Sequence, residues 1–231
     1  MSVQKNALAL MTLFLAFPIQ AAELKGIVKL TKPSVKRTLI QMKADPVCVK
    51  QHGGKPVYSE DVVTSDTGSV ANVFVYLKDG VKPTAQEQNP PPMVLDQKGC
   101  QYTPHVWGVR VNQPFTIRNS DPTLHNVHSL AKVNPNFNVG MATQGQKIEK
   151  KFTKPEVMVR IKCDVHGWMT TYVGVMDHPY YAVTDLSGSF SIKNLPPGEY
   201  QVAAWQEKLG EKIQKVTIGA GEDLKSIEFS Y

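Results

Sequence analysis

Apolar residues in this chain recur in short, strand-length runs, and none keeps a helical period beyond a turn or two. The runs are Leu24–Leu30, Ala71–Lys78, Phe115–Arg118, Val157–Lys162, Thr171–Met176, Ser189–Ile192, Tyr200–Trp205 and Lys215–Ile218. Turn signals separate them at Asp79-Gly80, Ser187-Gly188, Pro196-Pro197-Gly198 and Gly219–Gly221. The best helical stretch, Ala203–Lys208, is too short to stand as a helix. Such a pattern restricts the chain to an all-β fold of the sandwich or barrel kind. The 231 residues leave room for one large domain or two small ones. A content of 42% hydrophobic and 20% charged residues excludes a disordered chain and a polytopic membrane protein.

The N-terminus follows a different logic. Residues Met1 to Ala22 carry Lys5, then an apolar run from Ala7 to Phe17, then Pro18 and the small pair Ala21–Ala22, the order of a secretory leader. The run is short for a bilayer span and no second one follows. The expectation is a periplasmic or secreted protein with no membrane span after leader cleavage. A buried N-terminal helix, the opposing reading, finds no cap. The formal net charge of +6 falls to +5 without Lys5. Its densest stretch, Lys147, Lys150, Lys151, Lys154, Arg160 and Lys162, has no interleaved aromatic platform, which argues against nucleic acid and for a solvated strand face. Residues 81–92, with Pro83 and Pro90–Pro92, have the composition of an extended linker.

The three cysteines, Cys48, Cys100 and Cys163, form no CxxC pair, which excludes zinc ribbons and thioredoxin-type motifs. In an exported chain one of them is left unpaired. The chemistry gathers around that odd number. Cys163-Asp-Val-His166-Gly-Trp-Met169 follows the apolar run Val157–Lys162, and one tight loop at a strand end can turn thiolate, imidazole and thioether toward one point. Asn119-Ser-Asp-Pro-Thr-Leu-His125-Asn-Val-His128 supplies a second imidazole. Two His, one Cys and a weak axial Met are the ligands of a type 1 copper site. The bland alternative is a buried free cysteine with unrelated His and Met packing in the core.

Residues 93–177 resemble a complete small cupredoxin of the plastocyanin/amicyanin type. The resemblance rests on Tyr102–Pro104 and Val109–Gln113, on Phe115-Thr-Ile-Arg-Asn119-Ser-Asp121 followed by His125-Asn126-Val127, and on Phe137-Asn-Val. It continues through Phe152 to Lys162, the short Cys-x-x-His-x-x-Met loop and Thr171–Met176. It implies a Greek-key β-sandwich holding one type 1 copper ion, with His125, Cys163 and His166 as close ligands and Met169 as the axial one. It further implies that Asn126 holds the ligand loop in place. His166 is then exposed at the apolar end of the barrel as the electron route to a partner, and Trp168 enlarges that docking patch. His128 should be packed or at the surface, His105 structurally satisfied and His52 solvated, while a second metal site using His105, His128 or His178 stays open.

The flanks resemble a carboxypeptidase regulatory-like, prealbumin-type β-sandwich. Gly26-Ile-Val28 and Asn72-Val-Phe-Val-Tyr-Leu77 fit its early strands, and Thr184-Asp-Leu-Ser-Gly188-Ser-Phe with Leu195-Pro-Pro-Gly198-Glu-Tyr200 fits its later ones. The resemblance implies a split host, residues 23–80 and 178–231, with the cupredoxin as an insert; three independent segments in series are the alternative. Under the insertion, Cys48 lies in the host or its long loop and Cys100 in the first strand of the insert, and a Cys48–Cys100 disulfide is expected. The expected function is a non-enzymatic electron carrier between redox protein partners, or else a copper-handling protein without a shuttle role. No His-x-His pair marks a second, catalytic copper site.

Overall fold

A computed structural model describes residues 21–32, 35–81 and 90–231. The expected leader, except for its last two residues, and most of the Pro-rich linker lie outside them. In chain order the strands are β1 (Ala22–Lys29), β2 (Val63–Thr64), β3 (Val70–Ala71), β4 (Phe74–Asp79), β5 (Met93–Lys98), β6 (Gln101–Thr103), β7 (Val106–Arg110), β8 (Phe115–Asn119) and β9 (His125–Ser129). They continue as β10 (Asn138–Met141), β11 (Lys147–Lys150), β12 (Glu156–Lys162), β13 (Thr170–Met176), β14 (Tyr181–Val183), β15 (Ser189–Leu195), β16 (Gly198–Gln206), β17 (Gly210–Ile218) and β18 (Leu224–Ser230). Among the described residues one short helix, α1 (Pro46–Gln51), interrupts this all-β order. Ala203–Gln206 is strand, because the apolar Val202 and Ala204 face the core from a pleated backbone.

The middle of the chain makes two sheets, β10-β9-β12-β13-β7 and β11-β8-β5-β6, closed around one apolar core. Leu95, Phe115, Ile117, Val127, Phe152, Ile161 and Val173 are buried there. Strands β5 and β8 pair in parallel, as do β7 and β13, so the ladder is built from long crossovers in a Greek-key sandwich. The flanking strands make the sheets β15-β1-β18 and β14-β4-β16-β17 around a second core of Leu24, Val28, Val75, Ile192, Val202 and Phe229. Ala22 opens β1, buried and opposite Leu195. Sequence patterning missed β18, whose residues alternate in burial but include few large apolar side chains.

Two glycines fit the sandwiches together. Strand β14 pairs with β4 across the intervening chain, which anchors both ends of the middle segment on one host sheet. Phe74, Tyr76 and Ala203 of the host pack against Val106 and Met176. A Cβ on Gly174 would stand 2.2 Å from Phe74 Cζ, and one on Gly108 would stand 2.3 Å from Tyr181 Cε2. Only a bare backbone lets these aromatic rings lie on the β13–β7 surface.

Residues 35–62 form a strap between the two bodies. Asp45 caps α1 by accepting from Val47 N at 2.8 Å, and Pro46 takes the first helical position, where no N–H is needed. The strap sends Met42 and Cys48 into the middle core. Cys48 is bonded to Cys100, with Cα atoms 5.6 Å apart and 52 residues of separation, and Cys163 is a buried free thiol. In the chain-entropy account a closed loop of that length is worth about 4 kcal/mol. His52, expected in solvent, is half-buried with Nε2 2.7 Å from the Gly99 carbonyl, because the disulfide brings α1 down onto that turn.

Gly174→Ala is expected to lower stability by roughly 1–3 kcal/mol by forcing Phe74 aside. Chemical denaturation measures it, and an unchanged midpoint would contradict tight packing at this junction.

Candidate metal centre

Strand β9 and the loop after β12 meet at one end of the middle sandwich. His125 opens β9 and is fully buried, opposite Met141 of β10. The 163–169 loop closes on itself: Cys163 N donates to Met169 O at 3.1 Å, Met169 N to His166 O at 2.9 Å, and His166 N to Cys163 Sγ at 3.3 Å. Asn126 ties this loop to β9, accepting from Asp164 N at 2.6 Å and donating to Asp164 Oδ2 at 3.1 Å. Lys162, Asn138, Asn126 and His128 also surround Asp164 and hold its carboxyl far below the usual carboxylate range.

The two imidazoles are oriented from behind. Asp121 Oδ2 lies 2.9 Å from His125 Nε2, and Asp45 Oδ2 lies 2.9 Å from His166 Nε2. An ionised carboxylate can only accept, so each Nε2 carries a hydrogen. Burial opposes the charge of Asp121, but the bonds from His125 and from the backbone N–H groups of Cys100 and Gly99 outweigh it and hold its carboxyl low. Asp45 is likewise held low against burial by His166, Val47 and Thr123.

With both outer nitrogens committed, the Nδ1 atoms face each other across 3.0 Å. Cys163 Sγ completes the cluster 3.9 Å from His166 Nδ1, and all three residues are buried. Two lone pairs at that distance repel unless a cation or a proton lies between them. Burial works against charge on His125, but its hydrogen bonds to Asp121 and to the Cys163 sulfur outweigh this and raise its pKa to about 9. Burial pushes the Cys163 thiol up, and His125 with the N–H groups of Asn126, His166 and Val165 more than reverses this. A lowered thiol beside two inward imidazole nitrogens suits a soft or borderline cation, and copper fits this donor set. Met169 is also buried in the loop, 1% exposed.

One expectation is overturned. His166 is not at an exposed edge; it is 3% exposed, because the strap lies over it. Asp45 covers its Nε2, and Cys48 Sγ stands 3.6 Å from the same atom. The other histidines have separate partners. His105 Nε2 is 2.7 Å from Glu207, His128 Nδ1 is 2.9 Å from Asp164, and His178 Nε2 is 2.9 Å from Leu77 O. Among the described residues none of them joins a metal-ligating cluster. Asp45 and Asp121 went unassigned in the sequence. Asp121 stands four residues before His125, and Asp45 was marked only by the helix-capping Asp-Pro pair.

The family described as polysaccharide lyase family 4, domain II, a β-sandwich, matches residues 153–226, which run from the ligand strand into the host. No curated protein matches by sequence. Similar solved structures include a Cu-containing nitrite reductase (NirK) from Thermus scotoductus SA-01, at 19% identity over 43% of this chain and 26% of that one, TM-score 0.36. The chain thus spans about a quarter of that reductase. A Cu(I) amicyanin variant matches at 24% identity over 36% of this chain and 81% of that one, TM-score 0.33. A purple cupredoxin from Nitrosopumilus maritimus matches at 20% identity over 37% and 99%, TM-score 0.31.

Asp121 has a depressed folded-state pKa, so its stabilisation is present above its ordinary value of 3.8 and lost as the pH falls below it. Asp121→Asn is expected to cost the metal-free protein about 3 kcal/mol or more at neutral pH and to flatten the acid limb of its stability curve. Denaturant midpoints between pH 2 and pH 7 would show this; parallel wild-type and variant curves would refute it.

Proposed function

We propose that this chain is an exported type 1 copper protein that transfers electrons and carries no second, catalytic copper centre. Copper would be held by His125 Nδ1, His166 Nδ1, Cys163 Sγ and Met169. The observation that carries the reading is the pair of Nδ1 atoms 3.0 Å apart, each imidazole fixed by a carboxylate behind it. Copper, when bound, supplies a one-electron couple between Cu(II) and Cu(I).

The protein's own part is to hold the donors still. Asp121 and Asp45 fix both tautomers, Asn126 clamps the loop through Asp164, and burial excludes water from the sulfur. Donors held in one arrangement keep reorganisation small when the charge at the centre changes. The split host fits a carboxypeptidase regulatory-like scaffold that carries the insert and adds no chemistry. A copper-handling role without electron transfer gains support from the covered His166, since the cover also slows exchange of a bound ion. Rapid, reversible reduction separates the two readings: a shuttle cycles quickly and a storage site does not.

The visible and EPR spectra of copper-loaded protein are expected to show an intense thiolate-to-copper band and to lose it in Cys163→Ser. A colourless wild type would overturn the copper assignment. Asp45→Asn replaces an anionic acceptor on His166 by a neutral one and should raise the reduction potential. A tenfold change in relative Cu(I)/Cu(II) affinity corresponds to about 59 mV. Voltammetry reads it, and an unchanged potential would deny Asp45 this influence.

A further inference from the structure

The strap buries His166, so that imidazole offers no direct route to a docked protein partner. Beside the ligand loop lies a cavity of about 460 Å³, walled by the strap at Thr38–Gln41, by Trp168 and Met169, by Tyr172, and by Glu207 of the host. A protein interface needs roughly 800 Å² from each partner, whereas this volume is that of a small-molecule site. Trp168 links the cavity to the centre. It is half-buried, its ring lies 5.1 Å from that of His166, and its Nε1 donates to Cys100 O at 2.9 Å.

The lining indicates what would bind. Arg160 and Lys208 stand against Glu60, Asp61 and Glu207, a mixed lining with one more acidic than basic side chain and no cationic patch that would select an anion. It offers aromatic surface at Trp168 and Tyr172, and a proton acceptor. His105 and Glu207 form a 2.7 Å pair whose side chains are only 9% and 8% exposed, and the metal centre does not use it. A buried basic pair next to an electron-accepting centre suits a donor that releases a proton with each electron.

We infer that this cavity binds a small, uncharged aromatic molecule of the phenol or hydroquinone class that donates electrons to the centre. The inference rests on the copper reading for its electron acceptor, though not for the binding itself. For hydroquinone, each O–H bond breaks, its proton passes to the His105–Glu207 pair and its electron to an oxidised centre. Two oxidised protein molecules take the two electrons in turn, and quinone leaves with both protons released to solvent.

The test begins with metal-free full-length protein, so that binding is read independently of copper. Hydroquinone added to isotope-labelled protein should shift the Trp168 indole, Tyr172 and His105 resonances saturably. Trp168→Leu should weaken binding about tenfold. With copper-loaded protein under anaerobic conditions, the rate of reduction should level off with hydroquinone concentration. Glu207→Gln should lower that plateau at least tenfold while leaving binding within a few-fold of wild type. Thermal midpoints check that both variants are folded, and the wild-type titration decides the question if either is not. No saturable shifts at the cavity, or a rate that rises linearly without limit and ignores Glu207→Gln, would overturn the inference. If copper does not bind while the shifts persist, the copper reading fails and the binding site stands.

Discussion

The contact between Asp45 and His166, fixed in place by the Cys48–Cys100 bond, is the constraint on which the rest of the site depends. It does three things through one carboxylate. It sets the tautomer of His166 so that Nδ1 faces His125, it removes that imidazole from water, and it attaches the strap to the end of the sandwich. An isolated surface carboxylate–imidazole contact is worth little. Here α1 positions it, the covalent bond prevents the strap from swinging away, and Thr123 adds a second anchor at 3.1 Å.

The symmetry of the two imidazoles follows from that arrangement. Asp121 serves His125 from within the insert, held by Gly99 N and Cys100 N at 2.8 and 2.7 Å. Those two donors adjoin the disulfide, so one covalent link braces the carboxylates behind both histidines. Removing it would loosen both orientations together, even though neither cysteine belongs to the proposed copper site.

The host contributes rigidity and one wall. Because β4 and β14 pair across the inserted segment, the two crossings between the bodies lie side by side on one sheet, and Phe74 and Tyr181 seat on bare glycine backbone. This close approach brings Glu207 against His105 and forms the far side of the cavity. The basic residues around β11 and β12 take no part in it apart from Arg160: Lys147 is exposed, Lys150 is half-buried over the Phe137 ring, and Lys151 and Lys154 lie outside the strands.

The strand runs, the order of the donor residues and the odd cysteine could be read from the sequence, because strand periodicity and a short metal-type loop are local properties. Cys163 and His166 share that loop, whereas His125, far earlier in the chain, joined them through the resemblance to a cupredoxin; the structure brings the three together. The role of Asp45, the hydrogen bond of His52, strand β18 and above all the burial of His166 were not readable. Each depends on residues far apart in sequence that meet only when the strap crosses between the bodies. Asp45 and His166 are 121 positions apart, and no periodicity spans such a gap. The sequence by itself determined which side chains can hold a metal. The tertiary structure decided which face of that site is closed and which stays open, because solvent access is settled by what packs over a residue and not by its neighbours in the chain.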